Sequence, residues 1–344
     1  MNSVGEVFRQ QVRAKPDASC LIPAVGSVLS RNDVLSAADS IARRLSGAGA
    51  RPGERVSVIV EKSPEAFLLY LACNLAGYVY HPANSGYTDT EIAYLLADAG
   101  PKVIICDPSR ADAIEHMSPA TVLTLDRSGK GTLLTAPQTD LAVYKPATTD
   151  WAALLYTSGT TGQPKGAMLS QGNLISNALT LVEAWRFDER DRLLHMLPIF
   201  HAHGLFVAGN TALCAGSTIL FENAFSPDRF FARLPEATCF MAVPTLYGRL
   251  LADERLSLET ARHMRLFTSG SAPLDAVAHK ASEARTGQRI LERYGMTETL
   301  MLTSNPYDGE RRPGSVGPPL RGVSLQVRAP DGRIAPPGMV GTIE

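Results

Sequence analysis

The sequence contains 344 residues, of which 45% are hydrophobic and 19% are charged, a composition typical of globular proteins with two or three folding units. Its formal net charge is −1, which argues against a broad positive surface for nucleic acid or anionic lipid. The longest apolar run, residues 66–77, is too short to cross a bilayer. We therefore expect neither a nucleic-acid nor a membrane partner.

The cysteines are scattered and form no Cys-x-x-Cys pair: Cys20, Cys73, Cys106, Cys214 and Cys239. An odd, dispersed set argues against a disulfide framework or a zinc site. The mixed, charged N-terminus has no apolar signal core. These features predict a soluble protein of the cytoplasm.

Helical and strand patterns alternate over residues 1–150. A helix is expected over 32–45, from apolar residues at helical spacing, and β-branched strands at 55–63 and 102–107. Between these strands lies an apolar helix that begins at Pro64. Strand–helix–strand order implies a parallel sheet, and the polar stretch 127–150 that follows is predicted to be a linker.

The alternation resumes at residue 151, with strands expected at 153–156, 193–200, 237–244 and 265–270 and a helix at 173–185. From residue 315 the chain is punctuated by Gly/Pro turns, which favour antiparallel hairpins. The predicted fold class is therefore α/β. It has a first subdomain over 1–150, a second over 151–314 that includes the loop described next, and the start of a small antiparallel β subdomain over 315–344.

The segment LLYTSGTTGQPKGAMLS, residues 154–170, places hydroxyls, glycines and one lysine directly after an apolar strand. Such a loop can direct backbone N–H groups, hydroxyls and a point charge at phosphate oxygens. It does not fit the G-x-x-x-x-G-K-[ST] pattern, because Lys165 is followed by Gly166. From composition alone, a flexible surface turn is the alternative.

The order of residues in YTSGTTGQPKG resembles the phosphate-binding signature of the adenylate-forming superfamily: acyl-CoA synthetases, nonribosomal adenylation domains and luciferases. Further segments resemble its other motifs in the same order, at 197–205 (LPIFHAHGL), 267–274 (FTSGSAPL), 292–299 (ERYGMTET) and 314–327. The resemblance covers essentially the whole chain. It implies two stacked α/β subdomains with largely parallel sheets and the beginning of a β subdomain.

The resemblance implies activation of a carboxylic acid by ATP through an acyl-adenylate, followed by thioester formation with coenzyme A. The first step depends on charge neutralisation and positioning. The implied catalytic residues are Thr157, Lys165, His201 and Glu298, and Thr157 and Glu298 would bring oxygen ligands to Mg²⁺. The implied nucleotide-binding residues are Thr157, Ser158, Gly159, Thr160, Thr161, Gly162, Lys165, Gly270, Ser271, Ala272, Glu292, Arg293, Tyr294, Gly295, Met296 and Thr297.

The stretches 198–208, 243–251 and 293–323 are especially similar to malonyl-CoA synthetases, which implies malonate or methylmalonate as the acid. The second carboxylate of such an acid needs a cationic partner when it is buried, and arginine provides a bidentate one. Arg249 is the first candidate and Arg293 the second. The predicted substrate-binding residues are His201, Arg249, Ser271 and Met296, with Met296 setting the pocket width.

Two nearby histidines have other interpretations. His201 and His203 would face the same side of a strand, but the sequence offers no third ligand for zinc. We therefore interpret His201 as a gate of the acid pocket and His195 as structural.

The resemblance also implies a T-G-D motif, a hinge and a small C-terminal domain with a lysine used in adenylation. None of these occurs before Glu344, and we therefore expect the C-terminal domain to be absent. We expect a truncated synthetase that lacks this domain in cis and has impaired turnover, rather than a natural short form. The alternatives left open are an adenylation domain that loads a carrier protein and a nucleotide-binding module without turnover.

Overall fold

The computed structural model describes residues 1–157 and 164–344. Its helices, numbered in chain order, are α1 Val4–Ala14, α2 Arg31–Gly47, α3 Pro64–Ala76, α4 Asp89–Ala99, α5 Ala111–Met117, α6 Gln171–Ala184, α7 Asn210–Ala215, α8 Pro227–Arg233, α9 Pro244–Leu251, α10 Leu258–Ala261 and α11 Ala276–Thr286. A π-helix covers His203–Gly209, and short 3₁₀ turns cover Pro108–Arg110, Thr132–Leu134 and Leu234–Glu236.

The strands form three sheets. They are β1 Ser19–Pro23, β2 Leu29–Ser30, β3 Arg55–Ile59, β4 Val79–Pro82, β5 Val103–Cys106, β6 Thr121–Thr124, β7 Trp151–Thr157, β8 Lys165–Ser170, β9 Arg192–His195, β10 Thr218–Phe221, β11 Cys239–Ala242, β12 Leu266–Ser269, β13 Leu291–Met296, β14 Leu300–Ser304, β15 Val327–Arg328 and β16 Thr342–Ile343.

The first sheet has six strands in the order β6-β5-β3-β4-β7-β8. Its pairs are parallel except β7–β8, which are antiparallel strands on either side of the phosphate-loop segment. Tyr80 of β4 is in register with Ala153 of β7. The phosphate-loop hairpin therefore belongs to the same sheet as the strands of the first 150 residues.

The second sheet has eight strands in the order β14-β13-β12-β11-β9-β10-β1-β2. Its pairs are parallel except the outermost two, β1–β2 and β13–β14. The predicted mixed α/β class with largely parallel sheets is confirmed.

The predicted division at residue 150 does not coincide with the sheets, because β7 and β8 complete the first sheet and β1 and β2 join the second. Sequence alternation marks strands along the chain, but it does not indicate which sheet edge a strand joins. Helix α3 follows a strand of the first sheet and contacts the second: the Phe67 ring lies 5.7 Å from that of Phe221 on β10, between ring centroids. The helix is capped by Ser63, starts at Pro64 and is buried from Ala66 to Ala76.

A third, small sheet pairs β15 with β16 antiparallel, with Val327 opposite Ile343. This agrees with the hairpins predicted from the Gly/Pro turns. The predicted linker 127–150 contains one short 3₁₀ turn and is held on the surface by polar contacts, such as Arg43 Nη1 to Asp140 Oδ1 at 2.8 Å.

Candidate active site

A cavity of about 830 Å³ opens where strands of the two large sheets end. Its wall combines residues after β3 and β4 with residues after β9, β10, β11 and β12 and residues of β13. The lining residues include Lys62, Ser85, Pro198, His201, His203, Asn223, Phe225, Val243, Leu246, Ser271, Arg293, Met296 and Thr297. Ligands in open α/β sheets bind beyond the carboxyl ends of the strands, so this cavity is the candidate active site.

The hairpin β7–β8 positions the two described ends of the phosphate loop. Thr157, the last residue of β7, is directly opposite Lys165, the first residue of β8. The predicted phosphate-binding residues Ser158, Gly159, Thr160, Thr161 and Gly162 lie outside the described residues.

Thr157 is also joined to the second sheet. Its Oγ1 donates a hydrogen bond of 3.1 Å to Oε1 of Glu298, which lies between β13 and β14. Two oxygen atoms that could act as metal ligands thus meet at the exposed end of the phosphate-loop hairpin. Within the described ranges, Glu298 forms no salt bridge. The same ranges contain no group of three His, Cys, Asp or Glu side chains that could hold a metal by itself. Oxygen ligands of this kind suit Mg²⁺ when phosphate oxygens supply the remaining positions.

The histidine pair does not lie on a strand, although the interpretation of two rings on one strand face required one, and the strand predicted over 193–200 is shorter than expected. Strand β9 ends at His195, and the chain turns before the π-helix that begins at His203. His201 is exposed on the cavity wall, with its ring centroid 4.3 Å from that of Phe200. His203 is buried, and its Nδ1 lies 3.2 Å from Ser271 Oγ. The two rings therefore have different environments.

The segment after β12 approaches Arg293 closely. An added Cβ at Gly270 would lie 2.3 Å from Arg293 Nη1, so only glycine leaves the guanidinium in place. Ser271 follows with φ of +69°, a left-handed conformation that non-glycine residues adopt rarely. This turn brings the Ser271 hydroxyl to His203 and onto the cavity wall.

Arg293 is the arginine that the structure brings to the cavity. Its side chain is 3% exposed, and among the described residues its Nε and Nη2 have no hydrogen-bond partner. Burial lowers the pKa of this guanidinium to about 9. A buried cation without a paired anion is energetically costly, and this favours an anionic ligand at Arg293.

Arg249, the first candidate from the sequence, is exposed and does not line the cavity. Its guanidinium carbon lies 4.9 Å from the ring centroid of Phe225, which does line it. Leu246 and Arg249 share a face of α9, but Arg249 is about one turn, roughly 5 Å, further from the strand end. The sequence placed Arg249 near the pocket but could not determine this distance.

The other predicted residues of the 292–297 segment have mixed positions. Gly295, Met296 and Thr297 line the cavity, and Tyr294 is half-buried on β13. Glu292 is buried outside the cavity lining, and its Oε1 accepts a hydrogen bond of 2.9 Å from the Gly314 backbone N–H. Burial raises the pKa of this carboxyl. The Glu292 side chain therefore connects β13 to the segment that follows β14.

Sequence reasoning missed several lining residues, including Glu61, Lys62, Ser85, Asn223 and Phe225. Each lies just beyond the end of a strand: β3, β4 or β10. The expectation that parallel strand ends converge was available from the sequence. However, the relative placement of the two sheets was needed to find which ends face each other.

The match to a known family covers residues 8–344, and the family is described as AMP-binding enzyme. This chain belongs to the AMP-binding enzyme family. The ATP-bound structure of MatB from Rhodopseudomonas palustris is similar to all of this chain, with 46% identity and a TM-score of 0.94, and the match covers 70% of that protein.

Two curated relatives also match. The malonate–CoA ligase of Arabidopsis thaliana is 31% identical over 83% of this chain and 52% of its own length. The sulfoacetate–CoA ligase of Cupriavidus necator is 32% identical over 95% of this chain and 66% of its own length. The chain thus spans about half to two thirds of these relatives. In the described part of the chain, no helix combines the length and apolar character needed to span a membrane.

Proposed function

We propose that this chain forms the acid- and nucleotide-binding part of an AMP-forming acid–CoA ligase whose acid is malonate or methylmalonate. The observation that carries the proposal is Arg293, a buried arginine with two unpartnered nitrogens on the wall of the cavity. A monocarboxylate uses its only carboxylate in the reaction and has none left to pair with Arg293. A dicarboxylate retains a second one for the arginine.

The names of the similar proteins support the same substrate class. Malonate and sulfoacetate both carry a second anionic group one carbon away from the carboxylate, and both occur in the names of relatives. Ser271 and His201 line the same cavity as Arg293 and would contact the acid. Met296 lines it as well and would limit the room for a methyl branch.

Adenylation requires the reacting carboxylate oxygen to attack the α-phosphorus of ATP while pyrophosphate leaves with the bonding electrons. Lys165 and the loop residues 158–162 would bind the β- and γ-phosphates, and Thr297 would contact the α-phosphate. Thr157 and Glu298 would hold Mg²⁺, which supplies charge neutralisation on the phosphates. Gly270, Ser271, Ala272 and Tyr294 would surround adenine.

In the second step, the sulfur of coenzyme A would attack the acyl carbon and release AMP. We propose the cytoplasm as the compartment of this chemistry, and the buried, unpaired state of all five thiols, which suits a reducing environment, supports this. We also propose that full turnover needs a further C-terminal domain in cis, since the relatives extend beyond the matched region.

The test is ATP–pyrophosphate exchange with malonate, methylmalonate, sulfoacetate, succinate, acetate and benzoate. It is run on this chain and on an extended chain, in which the part of R. palustris MatB beyond the matched region is appended. Malonate-dependent exchange that rises in the extended chain supports the proposal.

Exchange with a monocarboxylate alone contradicts the dicarboxylate assignment and retains the adenylating class. Exchange with malonate but transfer only to a carrier-protein thiol favours the carrier-loading alternative. If AMP binds but no acid supports exchange in the extended chain, the nucleotide-binding module without turnover is the better interpretation.

A further inference from the structure

A half-buried lysine connects the two large sheets at the edge of the cavity. Lys62 follows β3 of the first sheet, and its Nζ lies 2.9 Å from Nδ1 and 3.0 Å from the carbonyl oxygen of His195, the last residue of β9 in the second. The same Nζ lies 4.4 Å from the ring centroid of Phe221. In the described ranges, no carboxylate forms a salt bridge with Lys62. The lysine therefore binds His195 rather than an acid.

The hydrogen bonds define the tautomer of His195. Its Nε2 lies 2.7 Å from the carbonyl oxygen of Gly204, which can only accept, so Nε2 carries the proton. Burial and the neighbouring Lys62 lower the pKa of His195 to about 3, which keeps the ring neutral. Nδ1 is then the acceptor for Lys62, and the chain of donation runs from Lys62 through His195 to Gly204.

Gly204 fixes the turn that carries the cavity histidines. It is the second residue of the π-helix and directly follows His203. An added Cβ at Gly204 would lie 2.0 Å from the Pro198 carbonyl oxygen, so the turn is packed tightly against residues 197–198. His195 is 2% exposed and stacks on Phe221, with ring centroids 5.4 Å apart and an interplanar angle of 18°. The His195 ring is therefore held in one orientation, and through it the position of Lys62 affects the position of the turn.

We propose that Lys62 and His195 form a positioning pair for the acid side of the site. Through the Gly204 carbonyl, the pair holds the turn 200–204 and thus sets where His201 and His203 contact the acyl group of the adenylate. The inference rests on the proposed acid-activating function but not on malonate as the acid.

The pair has a different expected signature from a residue that only stabilises the fold. Removing a lysine from water, even in part, costs solvation free energy, and a similar-sized apolar residue at such a position is often neutral or stabilising. Lys62→Met removes the donor but retains the length of the side chain. It should therefore leave the melting temperature unchanged or raise it. At the same time, the turn 200–204 should no longer be held in place through His195.

The experiment measures the affinity of this chain for AMP and for two non-hydrolysable acyl-adenylate analogues, malonyl- and benzoyl-sulfamoyladenosine. In Lys62→Met, the affinity for whichever acyl probe the wild type binds should fall about tenfold, equivalent to roughly 1.4 kcal/mol. The affinity for AMP should stay within about twofold, and Lys62→Gln, which can still donate to Nδ1, should retain most of the acyl-probe affinity.

A double-mutant cycle tests whether Lys62 acts through His195. His195→Phe keeps the aromatic stack but removes both hydrogen bonds of the ring. The remaining bond of Lys62 to the backbone carbonyl of residue 195 does not reach Gly204, so Lys62→Met should have no further effect on acyl-probe affinity in this background. Tyr78→Phe is the control, because it removes a buried hydrogen bond of 3.3 Å to the Ala42 carbonyl in the first unit. It should leave the binding of both probe classes unchanged.

Three outcomes would overturn the positioning pair: additive effects of the two substitutions, parallel loss of AMP binding, or unchanged acyl-probe affinity in Lys62→Met. A wild type that binds only the benzoyl probe would remove malonate from the proposed function, and the pair would still be tested with that probe. A wild type that binds AMP but neither acyl probe would overturn the acid-activating function and the inference together.

Discussion

Thr157 Oγ1 and Glu298 Oε1 are hydrogen-bonded at 3.1 Å although 141 residues separate them in the chain. Thr157 ends a strand of the six-stranded sheet, and Glu298 follows a strand of the eight-stranded sheet. This contact joins the phosphate-loop hairpin to the 292–299 segment. The order of these two motifs along the chain is evident from the sequence, but their contact in space is not.

Removing either oxygen should impair adenylation. We expect Thr157→Val and Glu298→Gln each to lower malonate-dependent pyrophosphate exchange in the extended chain by about 100-fold, the scale for loss of one stabilising group in a transition state. Glu298→Gln should also raise the Mg²⁺ concentration needed for half-maximal exchange. Glu310→Gln, at an exposed acid paired with Arg312, is the control. If Glu298→Gln behaves like this control, Glu298 is not a metal ligand.

Substitution of the two candidate arginines should have unequal effects. Arg293→Met should reduce the preference for malonate over acetate by about 30-fold or more, because losing one partner of a buried charge pair costs about 2–5 kcal/mol. Arg249→Ala should change this ratio much less, since Arg249 is exposed and outside the cavity lining. The ratio is measured by pyrophosphate exchange with both acids. A larger effect at Arg249 would restore the first candidate from the sequence as the carboxylate ligand.

Two glycines provide a matched pair of substitutions. In Gly270→Ala, the new Cβ would lie 2.3 Å from Arg293 Nη1, so we expect destabilisation of about 1–3 kcal/mol from overpacking and weaker malonyl-probe binding. Gly248→Ala adds a methyl group in open space on α9 and should stabilise the helix by up to about 1 kcal/mol. Melting temperatures and probe affinities of both variants test this. Equal changes in melting temperature and probe affinity in the two variants would mean that the Arg293 guanidinium moves freely.

A buried histidine should make stability depend on pH. Burial lowers the pKa of His81 from its ordinary value of 6.5 to about 4, and its Nδ1 is bonded to Ser57 Oγ at 2.8 Å. Below pH 6.5 the unfolded state binds the proton and the folded state does not, so stability falls as pH decreases toward 4. The full loss is about 3 kcal/mol at 1.36 kcal/mol per pKa unit.

His81→Leu removes this titration. The drop in melting temperature between pH 7 and pH 4.5 should therefore be smaller in His81→Leu than in the wild type, whatever the absolute stability of the variant. An equal drop in both proteins would show that His81 does not carry this part of the pH dependence.

The sequence alone determined the local features. The boundaries of α3 follow from Pro64 and Gly77, which start and stop a helix by backbone geometry. The order of hydroxyls, glycines and Lys165 after β7 predicts a phosphate loop, since those residue types suit contact with an anion. These conclusions depend on neighbours along the chain, which a sequence displays directly.

The tertiary structure decided which distant residues meet. It placed the hairpin β7–β8 on the first sheet and β1–β2 on the second, because strand pairing depends on sheet edges rather than on chain order. It brought Arg293 rather than Arg249 to the cavity, and it joined Lys62 to His195 across 133 residues. Such contacts are set by packing of helices and sheets against each other, and no local pattern in the sequence specifies them.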